Sequence, residues 1–404
     1  MDKFNRSRIL IVILSLLSLT VALLNESYVL IGVSIVALLS LKFSFISTIV
    51  GILRAKANRV LFKAFEWIVA LVLSALVIQN VFALFFEIYT VPSVSMSPNL
   101  GRGDVVVVSK SVIGARLFEE SASMCIRIGG FGSLKRGDII AFNYPEGDSC
   151  FVDNGQDNYL YIRRLRGNEI AKSRRLKYQS VSDRARYLKR IVGLAGDTIS
   201  LRRGDLHVNG SAVEVAPSVL RVYEFDSIKD YRILNQLSGC NIVYNNGKAF
   251  VDLPFPYNFS SLGIDTLLTP NVLHAALPDK LVFPFTTEIY HFNADNIGSI
   301  VVPKKGQVVD VNSYTLPFYK RIISVYEDNL LVERDGRIYI NGTLTTKYEI
   351  QQDYYWVMGD NRGHSFDSRY WGFVPSNHII GVASFVLERR DEKGLKRSFL
   401  NSLQ

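Results

Sequence analysis

Apolar residues crowd into the first ninety positions of this 404-residue chain, and no other feature restricts its folding as much. Residues 9–24 are almost wholly apolar, a second run covers about 28–53 with Lys42 inside it, and a third occupies about 67–86. The third is about 20 residues long, enough for a helix rising about 1.5 Å per residue to cross a bilayer. No apolar run of that length follows residue 90. Lys3, Arg6 and Arg8 precede the first run, and Arg54, Lys56, Arg59 and Lys63 separate the second from the third. Basic clusters stay on the cytoplasmic side of a membrane. The expected path therefore has an inner amino terminus, a tight outer turn at Asn25-Glu26-Ser27, an inner loop at 54–63 and an exit outward after Phe86. A cleavable leader is the other reading of the first run, but Ala22-Leu23-Leu24-Asn25 is not a small-x-small site and a second apolar run follows at once. Lys42 either snorkels or ends a shorter span.

The remainder, roughly 300 residues, suits one large domain or two smaller ones. Stretches 105–109, 138–142, 191–201, 354–358 and 380–387 are rich in β-branched and aromatic residues and read as strands. Only about 172–187 has helical periodicity. The net charge of +9 is spread rather than gathered into a nucleic-acid motif, although 163–190 is enriched in Lys and Arg. Acidic lipid headgroups are thus the expected partner, and nucleic acid is not. Cys125, Cys150 and Cys240 allow at most one internal pair, Cys125 with Cys150 or none, and have no zinc-site spacing. His207, His274, His291, His364 and His378 are scattered, so a histidine-based triad is not on offer.

A weak internal repeat stands out. Lys189-Arg190-Ile191-Val192 leads to an Asn-Gly pair at 209–210, and Lys320-Arg321-Ile322-Ile323 leads to another at 341–342. Either both copies form a strand, a return and a tight turn, or two hairpins have converged on one pattern. Each copy supplies a lysine.

The segment Pro92-Ser93-Val94-Ser95-Met96-Ser97-Pro98 follows the third apolar run within a few residues. Its prolines bar helix and central strand, which leaves a stiff extended turn bearing hydroxyls near a membrane surface. A serine hydroxyl is a poor nucleophile until a base takes its proton. Lysine serves only when neutral. Its free pKa of about 10.4 must be lowered by poor solvation. Tyr187, Leu188, Ile191 and Val192 give Lys189 such a setting.

Three further stretches accompany the serine segment in order. They are Lys135-Arg136-Gly137-Asp138-Ile139-Ile140, the box from Tyr187 to Asp197, and Gly359-Asp360-Asn361-Arg362 with Ser365 and Asp367-Ser368-Arg369-Tyr370-Trp371-Gly372. Together they resemble the bacterial type I signal peptidases, or leader peptidases, membrane-bound proteases that remove signal peptides from exported proteins. The resemblance spans about 80–390 and is loosest over 204–350. It implies Ser95 as nucleophile and Lys189 as general base, a known variant of triad chemistry. It also implies Ser93, with the Ser95 backbone N–H, as oxyanion donor, Ser365 as the residue orienting the amine, and Asp367 and Arg369 as a bracing pair. Val91, Pro92, Met96, Leu100, Tyr187 and Leu188 would line the first substrate pocket, with Tyr89 and Val106 contributing to the second; each reads equally well as core. Asp360 and Asn361 read as a turn that shapes the fold. Lys320 is the rival base, but it lacks the Gly-Leu-Ala-Gly-Asp turn after Lys189. Val94, Ala195 and Gly363-His364 depart from the family pattern without removing a reacting group.

The expected fold is membrane-anchored and mainly β. Transmembrane helices (1–86) precede an antiparallel β-sheet catalytic core in two parts (87–203 and 351–390), with a large β-rich insertion (204–350) and a charged tail (391–404). The implied activity is endopeptidase cleavage of preproteins after small residues, without a metal or organic cofactor. Implied partners are signal peptides, membrane lipid and the protein export machinery, and the implied location is the cytoplasmic (inner) membrane, multi-pass, with the catalytic domain on the extracytoplasmic side. Two rivals remain: a catalytically silent homologue that binds partners outside the membrane, and a self-cleaving Ser-Lys repressor-type protein, against which the apolar runs argue.

Overall fold

The computed structural model describes residues 85–404 except 118–125, 129, 153–157, 168, 170–174, 214–215, 217, 263–276, 391–395 and 403–404, with a few single positions between 60 and 82. The chain divides into two compact units, Met1–Glu87 and Ile88–Gln404. The runs 9–24 and 28–53, and most of 67–86, lie outside the described residues, and the expected crossing segments lie there with them. Among the described residues no helix is long and apolar enough to cross a membrane.

The second unit is mainly antiparallel β-sheet. In its central sheet Val105–Ser109, Ile379–Arg390, Ile139–Asn143, Arg186–Gly193, Tyr354–Met358 and Val374–Pro375 lie side by side in that order. Side chains alternate between the faces of a strand, and here both faces are covered. Ile139 and Ala141 pack with Val106, Leu188 and Ile380 on one side. Ile140 and Phe142 pack with Ile191, Val357 and Trp371 on the other.

The stretch 191–201, expected as one strand, is two: Arg186–Gly193 and Thr198–Arg202. The Asp197 carboxylate accepts the Leu194 N–H at 2.8 Å and closes a tight turn between them, which Gly196 completes at φ +92°. The helix expected over 172–187 is absent from its described part, where Leu176–Tyr178 pairs with Ser149–Phe151 and the strand Arg186–Gly193 begins. Strand pairing overrides local periodicity there. A helix lies earlier, at Tyr159–Arg166, where the Asn158 side chain accepts the Tyr161 N–H and Gly167 ends it.

The internal repeat holds only in its second half. Asn209 and Asn341 both sit at positive φ in hairpin turns, and their side chains accept the Thr198 and Leu330 N–H groups at 2.8 and 2.9 Å. The first halves differ. Lys189 lies on a strand, whereas Lys320 lies in the last turn of the helix Leu316–Arg321, whose first turn holds Pro317 with its preset φ.

Between the hairpins, Val219–Asp226, Lys248–Phe255 and Ile242–Asn245 form a three-stranded sheet. It has its own core of Tyr223, Phe225, Leu234, Val251, Leu253 and Phe259. Beside the central sheet lies a buried polar cluster. Arg184 donates to the Pro145 carbonyl at 3.0 Å and to His378 Nε2 at 2.8 Å. Since arginine only donates, Nε2 accepts, and His378 Nδ1–H donates to Asn377 Oδ1 at 2.7 Å. Cys150 is a buried free thiol directed at the Lys177 carbonyl; Cys125 lies outside the described residues.

Candidate active site

The serine turn is closed at its base by two backbone bonds, from Val91 N to Asp104 O and from Gly103 N to Val91 O, both 2.8 Å. Asp104 locks it further. Its carboxylate accepts the Gly101 N–H and the Arg390 N–H, each at 2.9 Å. Met96 and Leu100 are buried among Val91, Val106 and Leu188, which pins the turn to the sheet. Its apex is held from the other side by Asn361, whose N–H donates to the Ser95 carbonyl at 3.0 Å.

Lys189 stands opposite Ile140 in the pairing of Arg186–Gly193 with Ile139–Asn143. Strand alternation puts it on one face with Tyr187 and Ile191, and its Nζ lies 5.4 Å from the Tyr187 ring centre. That Nζ is 2.7 Å from Ser95 Oγ and 2.9 Å from the Leu188 carbonyl. Lys189 is 2% exposed. Burial lowers its amine to about 8, with Asp367 and Asp360 opposing the shift and Arg369 adding to it.

Ser93 Oγ lies 3.1 Å from Ser95 Oγ. The Ser95 N–H has no acceptor among the described residues. Ser365 is buried; its hydroxyl makes no hydrogen bond to the Lys189 amine but lies close enough to Asp367 to help lower that carboxyl. It also lies beside the Ser95 carbonyl. A Cβ added to Gly359 would sit 2.2 Å from Ser365 Oγ and 2.5 Å from the Ser95 carbonyl oxygen, so only glycine lets the two approach. Asp367 and Arg369 form a buried pair, with Arg369 Nε to Oδ1 at 2.8 Å and Nη2 to Oδ2 at 2.9 Å. Asp367 also accepts the Gly359 N–H at 3.0 Å. Burial alone would raise its carboxyl, but Arg369 and these hydrogen bonds outweigh burial and hold it below the usual range.

A cavity of about 260 Å³ opens beside the Ser95–Lys189 pair. Of the residues expected in the pockets, Val91, Pro92, Met96, Tyr187 and Leu188 line it, joined by Ala185 and Arg186. Leu100 and Val106 are fully buried in the core behind, and Tyr89 packs against that core with its hydroxyl on the Arg186 carbonyl at 2.9 Å.

Lys320 is elsewhere. It is exposed and paired with Glu333 at 2.6 Å. Several groups that hold the site were not singled out by the sequence reading, or were read only as shaping a turn. Arg190 clasps Asp360 through two bonds of 2.8 and 2.7 Å, and Asn99 donates to the same carboxylate at 2.8 Å. This ties the lysine strand, the serine turn and the loop after Tyr354–Met358 to one buried acid. Arg190 could have been found from its place beside Lys189: a residue neighbouring the base on a central strand points to the opposite face, and a buried arginine there requires an acid.

The family described as signal peptidase, peptidase S26, matches residues 64–251 and 343–388, more than half of the chain. The signal peptidase I of Leptolyngbya laminosa is 37% identical over 109 residues, which cover 23% of this chain and 53% of that protein. The signal peptidase I of Haemophilus influenzae is 25% identical over 326 residues, covering 80% of this chain and 69% of the relative. A probable signal peptidase I of Synechocystis is 34% identical over 107 residues, 23% of this chain and 49% of that protein. The chain thus spans about half the length of the first and third of these relatives. By the extent of the family match, taken with the order in which the four boxes occur, the chain belongs to the signal peptidase family S26.

Proposed function

We propose that the chain is a signal peptidase I, a membrane-anchored endopeptidase that removes N-terminal signal peptides from exported preproteins after small residues. The observation that carries this reading is the buried Lys189 amine 2.7 Å from Ser95 Oγ, beside an open cavity. In the first half-reaction the Ser95 proton passes to neutral Lys189 Nζ as Oγ bonds to the scissile carbonyl carbon. The carbonyl π pair moves onto oxygen, where the Ser95 N–H and the Ser93 hydroxyl would receive it. Collapse breaks the C–N bond, and the departing amine takes the proton from Lys189. Water then gives its proton to Lys189 and attacks the ester, and Ser95 leaves with that proton. Ser365 is read as the group that would settle the amine during the reaction, on the strength of the family resemblance and of its buried hydroxyl near Ser95. Asp367 and Arg369 are read as the brace of that loop. Among the cavity residues, Val91, Pro92, Met96, Tyr187 and Leu188 would contact the residue before the cut, whose small size suits so limited a space.

The apolar runs before residue 90, with basic clusters between them, support anchoring in the cytoplasmic membrane and a catalytic domain on its outer side. Within this reading 87–203 and 351–390 form the catalytic core and 204–350 an insertion. Preproteins, membrane lipid and the export machinery are the partners. The test is cleavage of a preprotein by the purified full chain beside Ser95→Ala and Lys189→Ala. Both variants should lose cleavage, and Ser93→Ala should retain a rate about 10²–10³-fold lower. Undiminished cleavage by Ser95→Ala would sink the proposal. A serine-acylating probe that fails to label Ser95 would instead favour a silent binding homologue.

A further inference from the structure

Away from Ser95, a cavity of about 410 Å³ is enclosed by the hairpin around Asp205–Val208, the strands Val219–Asp226 and Lys248–Phe255, and the loop after Tyr354–Met358. Its walls are polar and apolar in about equal measure: Leu206, Val213, Val219 and Phe255 line it beside Arg221 and Arg362.

The charges around this cavity do not balance. Arg190 is matched by Asp360, Arg369 by Asp367, and Arg221 by Asp205 at 2.8 Å. Arg362 forms no ion pair with any described residue, and its guanidinium makes one hydrogen bond, from Nε to the Gly359 carbonyl at 3.2 Å. Arg362 is partly exposed; its partial burial, then the neighbouring Arg369, lower it to about 10, so it remains a cation at neutral pH. Asp360 and Asp367 lie near enough to be felt but are already engaged by Arg190, Asn99, Arg369 and the Gly359 N–H. Arg221 lies flat on Phe255, 3.5 Å from the ring centre, and its Nε is buried without a partner. A partly desolvated cation with donors to spare at a cavity wall is suited to meeting an anion there. The planar fork of guanidinium donors is suited to taking a carboxylate or phosphate in two parallel bonds.

We propose that this cavity binds a small organic anion, a carboxylate or phosphate group carried on an apolar body. Arg362 grips the anionic head, and Phe255, Leu206 and Val213 cover the body. Arg221 closes the site from the side, its own charge shared with Asp205.

The experiment uses the full chain in a non-ionic detergent. The probes are hexanoate and hexyl phosphate, with hexanol and inorganic phosphate as controls, read by calorimetric affinity and by thermal midpoint. At least one of the two anions bearing a hexyl chain should bind and raise the midpoint, and each control should bind at least about tenfold more weakly. Arg362→Met should weaken that binding roughly tenfold or more. Ala212→Phe, which fills the cavity and leaves Arg362 in place, should abolish binding as well. Hexanol or inorganic phosphate binding as tightly as the hexyl anions would overturn the proposal. So would an affinity indifferent to Arg362→Met.

Discussion

At the scale of single residues, the proposed mechanism makes the Lys189 amine set a rate, and its burial sets a stability. Burial lowers it to about 8, so the neutral form able to accept the Ser95 proton becomes populated as pH rises through that value. The rate of cleavage, measured as kcat/KM, should climb about tenfold per pH unit below 8 and level off above it. The same shift costs the fold. An unfolded lysine titrates near 10.4, so between about 8 and 10 the unfolded chain holds more protons than the folded one, and stability increases with pH. Below 8 the cost is complete, about 3 kcal/mol. Lys189→Met should therefore melt higher than the wild type at pH 7, by a margin that fades toward pH 10; a lower midpoint at pH 7 would contradict the burial argument. That Ser95 and Lys189 would lie together was legible in the sequence because each sits in a distinctive local run. The placing of Ser365 was less legible. Its hydroxyl lies by the Ser95 carbonyl rather than on the amine, a matter of side-chain direction within a loop.

Secondary-structure elements carry a second lesson, in the strand Val219–Asp226. Leu220 N–H donates to the Asp360 carbonyl at 2.8 Å, and the preceding Ser218 carbonyl accepts from Asn99 at 2.9 Å. Val222 packs so closely on Gly363 that a Cβ there would meet it at 2.4 Å. Asp252, on the neighbouring strand, lies 3.1 Å from His364. A segment whose role could not be read from its residues thus holds both the serine turn and the loop that carries Ser365. Leu220→Pro deletes the N–H, and the looser loop should lower kcat roughly 10- to 100-fold with little change in KM; an unchanged kcat would show that the loop keeps its shape unaided. The sequence gives no hint of this contact because backbone groups make it and they leave no trace in residue type. The misplaced helix has a related cause. Apolar spacing across 172–187 mimics a helical period, while Leu176–Tyr178 is claimed by a distant strand.

For the molecule as a whole, the central sheet gathers boxes that lie far apart in the chain. Val105–Ser109 pairs with Ile379–Arg390, and Arg186–Gly193 with Tyr354–Met358. That the described part of the chain is mainly antiparallel β-sheet was readable from its β-branched runs. The order of strands was not, because pairing across so many residues depends on which faces bury together rather than on local pattern. Whole-molecule stability should also depend on acid through His378. Burial, reinforced by Arg184, Arg116 and Arg321, holds this ring well below its usual value. An unfolded histidine takes up a proton near 6.5 that the folded ring refuses, so stability should fall as pH drops below about 6.5. Urea melts of His378→Gln should show a shallower loss between about pH 6.5 and 4.5; an identical slope would rule the ring out as the cause.

The pairing of Lys189 with Ile140 has a consequence for how such a chain can change length. Residues gained or lost before Arg186 leave the two strands facing each other as they do now. One residue added between Tyr187 and Lys189 would rotate the amine to the far side of the sheet and leave the hydroxyl facing an aliphatic neighbour. Drift in length is thus harmless on one side of a boundary a few residues wide and silencing on the other, without the loss of a single reacting group.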